Sequence, residues 1–186
     1  MNKLQNTTDP YADIQQEMEK IDWSDRPLAS VLEDSLESLP DPDKEETAFG
    51  KKEFLQRWER AIQYQYICQA LQDIAENYAA HSKMFGKPGT EVSLVLGWLA
   101  TRTELDTAFG DKTGIGFNGQ CLADFFRSGK LAIYYVANDE EEGATARLGQ
   151  HIDCGLDSCP FIRREFSVEW DGDPSKAITI QANDLN

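Results

Sequence analysis

The sequence predicts an α+β domain behind an acidic, flexible arm, its N-terminal helices packed on one face of a mostly antiparallel C-terminal sheet. Three observations carry this expectation. The first fifty residues hold thirteen acidic side chains against four basic ones, with few apolar anchors. An apolar stripe at helical spacing then runs from Phe54 to Tyr78. From Lys130 onward the apolar period shortens to two, the period of a strand. Helices first and strands linked by hairpins afterwards is the order of an α+β domain.

Residues 1–47 read as the arm. Pro10, Pro27, Pro40 and Pro42 interrupt it, and its polar, acidic composition offers too little apolar surface to offset the entropy of ordering. One segment, about residues 27–39, has a pattern of its own: Leu28, Val31, Leu32, Leu36 and Leu39 recur at spacings of three and four, with Glu33, Asp34 and Glu37 opposite. Pro27 suits the first turn of such a helix. A short acidic amphipathic helix in an arm is a form that docks into a groove on a partner.

Residues 48–186 read as a single domain, long enough to bury a core of its own. Phe54, Ala61, Tyr64, Cys68, Leu71, Ala75 and Tyr78 predict a helix over 51–82, widened by Trp58, Ile67 and Ile74. Lys51, Lys52, Arg57 and Arg60 place positive charge on its opening turns, and the surface near Trp58 is a second candidate contact. Gly86, Pro88 and Gly89 mark a turn. Thr90 then reads as the N-cap of a second helix through Val92, Val95, Leu96, Leu99 and Leu105, ended by Gly110. A glycine loop over 114–119 leads to a short helix through Leu122, Phe125 and Phe126, with Gly129 as its C-cap. Leu131–Ala137 is apolar on both faces and predicts a central strand. Residues 138–143 read as an acidic hairpin loop, 144–152 and 161–170 as further strands, 171–174 as a turn, and Ile178 and Ile180 as marks of the last strand.

Charge narrows the function. At −15, with a pI near 4.4, the chain lacks the basic stripe that phosphate contacts require, and it is repelled by anionic membranes. Partners with basic patches are favoured. No apolar run reaches the length of a membrane span, and the first residues lack the apolar core of a signal peptide, so a cytoplasmic protein is expected. Its four cysteines, Cys68, Cys121, Cys154 and Cys159, are then expected as thiols.

Motifs that carry chemistry are few. Gly114, Gly116 and Gly119 satisfy G-x-G-x-x-G, the pattern that lets backbone approach a pyrophosphate, yet the strand that should precede them is absent from Thr107–Thr113. A tight connection using glycine at positive φ explains the pattern more simply. His151, Cys154 and Cys159 have donor types that suit zinc, at a spacing unlike the paired ligands of structural sites. Cys121, at the start of a short helix, is placed where a thiol is acidified, and would need His81 or His151 as a base to act as a nucleophile. Glu104, Asp106 and the run Asp139–Glu142 read as solvated acids, without the loop register of a calcium site.

The resulting expectation is a non-enzymatic protein-binding module without a cofactor: an assembly factor, regulator or small subunit of a larger complex. It would dock its acidic arm in a basic or apolar groove of another protein. The helical stripe of residues 54–78 suits a homo-oligomer as well as a core. The alternatives are an acidic inhibitor that mimics nucleic acid, or a small zinc- or nucleotide-binding protein.

Overall fold

In the computed structural model, residues 48–84, 91–138 and 141–183 are described. The acidic arm and its segment Leu28, Val31, Leu32, Leu36 and Leu39 lie outside the described residues, as does the side chain of Trp58. The chain divides into two units, Met1–Glu59 and Arg60–Asn186. The first is described only as the opening turns of a helix; the second holds all five strands.

The predicted long helix is present and extends further than its stripe. Helix α1 covers Ala48–Met84, and from Lys51 to Met84 it meets neither glycine nor proline. Its buried residues Ile67, Leu71, Ile74 and Ala75 follow the three-and-four spacing of one face. On the exposed side, the side-chain amide of Gln69 donates to Asp73 and that of Gln72 to Glu76, one turn on in each case.

The helix expected from Thr90 is instead a strand followed by a helix. Strand β1 is Val92–Leu96, and Gly97, at φ 86°, ends it. Helix α2, Arg102–Phe109, starts at Thr101. The Thr101 hydroxyl accepts the Glu104 amide at 3.2 Å while the Thr101 amide donates to the Glu104 carboxylate at 2.9 Å, a complete capping box. Gly110 ends this helix, as expected. The five-residue run Val-Ser-Leu-Val-Leu fits either period, and its parallel pairing with Thr113–Phe117 makes it a strand.

The glycine loop is also a strand. Strand β2, Thr113–Phe117, is buried throughout, and Asn118 alone separates it from helix α3, Gly119–Ser128. Asn118 caps α3 by accepting the Cys121 amide at 2.9 Å, and Gly129, at φ 74°, closes it as the expected left-handed C-cap. Strand β3, Lys130–Val136, follows and is central as predicted, with β2 on one side and the last strand on the other.

Residues 144–152 form no strand. Helix α4 is Ala144–Ser158, in which Leu148, Ile152 and Leu156 are fully buried at spacings of four. The 138–143 segment therefore joins a strand to a helix and is not a hairpin loop. The predicted strand 161–170 divides: Pro160 opens helix α5, Pro160–Glu165, and strand β4 takes only Phe166–Glu169. Proline at the first helical position loses no hydrogen bond there. The expected turn follows, with Gly172 at φ 85°, and strand β5, Ile178–Ala182, ends the fold.

The five strands form one sheet in the order β1-β2-β3-β5-β4. β1 and β2 are parallel and the other three pairings antiparallel. A parallel pair needs a crossover, and α2 supplies it. Register places Leu131, Ile133 and Tyr135 of β3 on the face shared with Ile178 and Ile180, and all five are buried. On this side Tyr64 of α1 meets Phe117 edge-on at 6.2 Å, Phe125 of α3 lies 6.3 Å from Phe166, and Phe161 of α5 lies 6.4 Å from the same ring. Helix α2 is the exception to a one-sided arrangement. Its Leu105 and Phe109 pack with Val95 on the opposite face, against Tyr134 and Val136.

Candidate functional site

Three places bring chemistry-bearing residues together, and each begins from a local constraint. The first lies where β1 and β2 end and α2 and α3 begin. Gly114 and Gly116 sit inside β2, and Gly119 is the first residue of α3. None of the three has a positive φ, which corrects the expected tight connection. Their role is close approach. A methyl on Gly114 would enter the ring of Phe109, and one on Gly116 would enter the Val95 backbone carbonyl. Gly119 donates its amide to the Leu99 carbonyl at 2.5 Å. The three glycines thus fit parallel strands and a crossover helix together, and they do not form a loop around a phosphate. Arg102 stacks on the Tyr134 ring at 3.7 Å and pairs with Asp106 at 2.8 Å.

Cys121 lies in the first turn of α3 with a half-buried thiol. Burial pushes that thiol above its ordinary range, outweighing the hydrogen bond from the Asn118 backbone and the nearby Arg102 charge. The acidified thiol expected from its helix position is therefore not found. Glu104 serves the α2 cap, and its hydrogen bonds with Thr101 hold its carboxyl below the usual range. Glu141 of the acidic run pairs with Arg147 at 3.0 Å, while Asp139 lies outside the described residues.

The second place is the start of the β1–α2 connection. Tyr64 of α1 donates its hydroxyl to the Leu96 carbonyl at 2.9 Å, anchoring an edge strand to the long helix. Burial, and then a hydrogen bond with Cys68, push the Tyr64 hydroxyl up to about 12. Gly97 lies against Leu122 of α3, and Phe126 is one turn further along that helix. Trp98 follows and is 68% exposed, with Phe126 at 37%. These are the large apolar side chains that the described surface offers here.

The third place is the crossing of α1 and α4. Gly155 makes it tight: a methyl there would approach Ile74 Cγ1 to 2.6 Å. One turn back along α4, His151 meets Tyr78 of α1, ring centroids 5.5 Å apart, and His81 of α1 at 6.1 Å. Successive contacts on α1 thus pair with descending positions on α4, so the two helices run antiparallel. His151 is half-buried, and burial lowers its pKa below the ordinary 6.5; a backbone hydrogen bond at Ile74 opposes the shift, and the His81 charge adds to it.

The candidate zinc set of the alternative reading, His151, Cys154 and Cys159, is not assembled among the described residues. Cys154 is exposed on α4, and Cys159 caps the junction with α5. Among the described residues, no three His, Cys, Asp or Glu side chains gather as a metal-holding group. None of the four cysteines forms a disulfide. The ring beside His151 is that of His81, with centroids 6.1 Å apart. A signal existed, since His81 continues the stripe of Ile74 and Tyr78, but only the fold supplies the antiparallel helix.

Comparison with protein-family models, with curated proteins and with solved structures gives no match. No helix among the described residues is long and apolar enough to cross a membrane.

Proposed function

We propose that this chain is a non-enzymatic protein-binding module, an assembly factor, regulator or small subunit of a cytoplasmic complex. It engages a partner that offers a basic or apolar groove. The observation that carries this reading is the partition of charge: thirteen acidic against four basic side chains in the first fifty residues of a chain whose net charge is −15. Concentrated charge of one sign raises the encounter rate with a partner of the other sign and fixes orientation more than it adds affinity. The apolar set Leu28, Val31, Leu32, Leu36 and Leu39 supplies the specific contact. The exposed Trp98 beside α3 supports a second contact from the folded unit, since an exposed tryptophan is the residue type that anchors interfaces.

The test is affinity capture from host lysate with the full chain and with a chain that starts at Glu46, read by mass spectrometry. A partner held only by the full chain, and released by moderate salt or by Leu32→Asp, supports docking through the acidic segment. A partner held equally by both transfers the binding to the folded unit, where Trp98→Ala is the next variant. Capture of nothing by either chain removes the reading.

A further inference from the structure

Resting on the protein-binding reading above, we propose that the outer edge of β1 is a strand-addition site, where an extended, basic segment of a partner joins the five-stranded sheet. The order β1-β2-β3-β5-β4 leaves two outer edges, and they are unlike. Strand β4 has four residues, with Ser167 and the charged Glu169 exposed, and a short, charged strand is a protected edge. Strand β1 has five residues, Val-Ser-Leu-Val-Leu, and carries neither charge nor proline. Its backbone direction follows from one bond: the Gly97 amide donates to the Phe117 carbonyl at 2.9 Å, towards β2. Alternate residues of a strand face the same neighbour, so Val92, Leu94 and Leu96 direct their N–H and C=O groups away from β2. The Leu96 carbonyl is taken by the Tyr64 hydroxyl, as this direction requires. Among the described residues, nothing pairs with the outward groups of Val92 and Leu94.

Side chains and charge define the strand that fits. Val92, Leu94 and Leu96 stand in register with Thr113, Ile115 and Phe117. Ile115 and Phe117 are fully buried, whereas the three β1 side chains at the edge are half-buried. An added strand that is apolar at alternate positions continues this layer and covers them. Trp98, exposed just beyond Gly97, offers an aromatic contact at the end of the strand. Residues 91–112 hold this edge and the helix beside it, and they carry Glu91, Glu104, Asp106 and Asp111 against Arg102 and Lys112. Arg102 is already held by Asp106 and the Tyr134 ring. Basic side chains on the added strand complement that surplus, whereas a second copy of this chain, at −15, brings the same sign.

The test is fluorescence anisotropy on the full-length chain with three peptides. They are Lys-Lys-Val-Thr-Val-Thr-Val-Lys-Lys, its counterpart with glutamate for every lysine, and a form with proline for the central valine. The variant Leu94→Pro removes an outward N–H and no bond to β2, a place where an edge strand tolerates proline. The expected result is binding of the basic peptide by wild type, weakened about tenfold by Leu94→Pro, and binding weaker by about tenfold or more for the other two peptides. Amide exchange in the wild-type chain should slow at Val92, Leu94 and Leu96 when the basic peptide is bound, a readout that needs no variant to fold. The proposal is overturned if the basic peptide does not bind, if the acidic peptide or Leu94→Pro binds equally well, or if the slowed amides lie elsewhere. It is also overturned if sedimentation shows a wild-type dimer that Leu94→Pro abolishes, which gives the edge to a second copy. Capture through the arm is read separately, by Leu32→Asp. Its success alongside failure here removes the strand site alone, and its failure alongside binding here removes the arm alone.

Discussion

The ring of Phe109 occupies the space that a side chain on residue 114 would need. A helix residue and a strand residue are thereby fitted to one another across the outer face of the sheet, where α2 is the sole covering helix among those described. The G-x-G-x-x-G pattern thus records a packing requirement: bare backbone in β2 lets the crossover helix lie close.

Gly114→Ala is accordingly expected to destabilise the fold. Overpacking of this kind costs about 1–3 kcal/mol. Urea unfolding should show a lower midpoint with an unchanged slope. An unaffected midpoint would mean that Phe109 moves aside without cost.

Leu105→Ala probes the same face from the helix side. Leu105 is fully buried against Val95 and Phe109. Its truncation should cost about 2–5 kcal/mol, because a small cluster cannot collapse around the lost volume. Amide hydrogen exchange should then quicken first in α2. Uniform acceleration across all strands would show that α2 is not a separable layer.

Tyr64→Phe removes the bond to the Leu96 carbonyl and the hydrogen bond with Cys68. The expected loss is about 1–3 kcal/mol in chemical denaturation, at about 0.5–1.5 kcal/mol net for each hydrogen bond. A phenol titration of the wild-type protein should show one component near 12 that this variant lacks. A titration identical in both chains contradicts the buried hydroxyl.

His151 makes stability depend on pH in a defined direction. Its folded pKa lies below the unfolded value of 6.5, so the unfolded chain takes up the proton first. This contribution is intact at neutral and higher pH. It begins to fall as the pH drops through about 6.5 and is fully lost below the depressed folded pKa. His151→Gln should therefore flatten the decline of the urea midpoint between about pH 7.5 and 5.5. A variant that declines as steeply as wild type would assign the acid sensitivity to other groups.

The architecture was legible wherever a residue pattern had only one reading. The apolar spacing of α1 and the two-sided apolar run of β3 leave little choice of period, and Gly110, Gly129 and Gly172 all mark ends or turns where expected. Short segments were ambiguous. Val92–Leu96 fits a helix or a strand over five residues, and Thr101-x-x-Glu104 was the overlooked sign that the helix begins later. In α4, Leu148, Ile152 and Leu156 obey the helical period, although the expectation there was a strand, and the helix holds two poor helix formers, Gly149 and Gly155. Both glycines are used: a methyl on Gly149 would approach Trp170 and the Tyr135 hydroxyl to 2.7 Å, and Gly155 admits Ile74.

By itself, the sequence determined the class of the fold, the long helix, the central strand and the separation of an acidic segment from an apolar one. These follow from composition and period, which act within a few residues of one another. Tertiary structure decided that β1 and β2 are parallel, that α2 lies on the opposite face from the other helices, and that His81 is the neighbour of His151. Those outcomes depend on which surfaces meet after the chain has closed loops of tens of residues, and the deciding contacts are steric fits between side chains and bare glycine backbone. A glycine in sequence shows only that a side chain is missing; the partner that fills the gap is chosen by the fold.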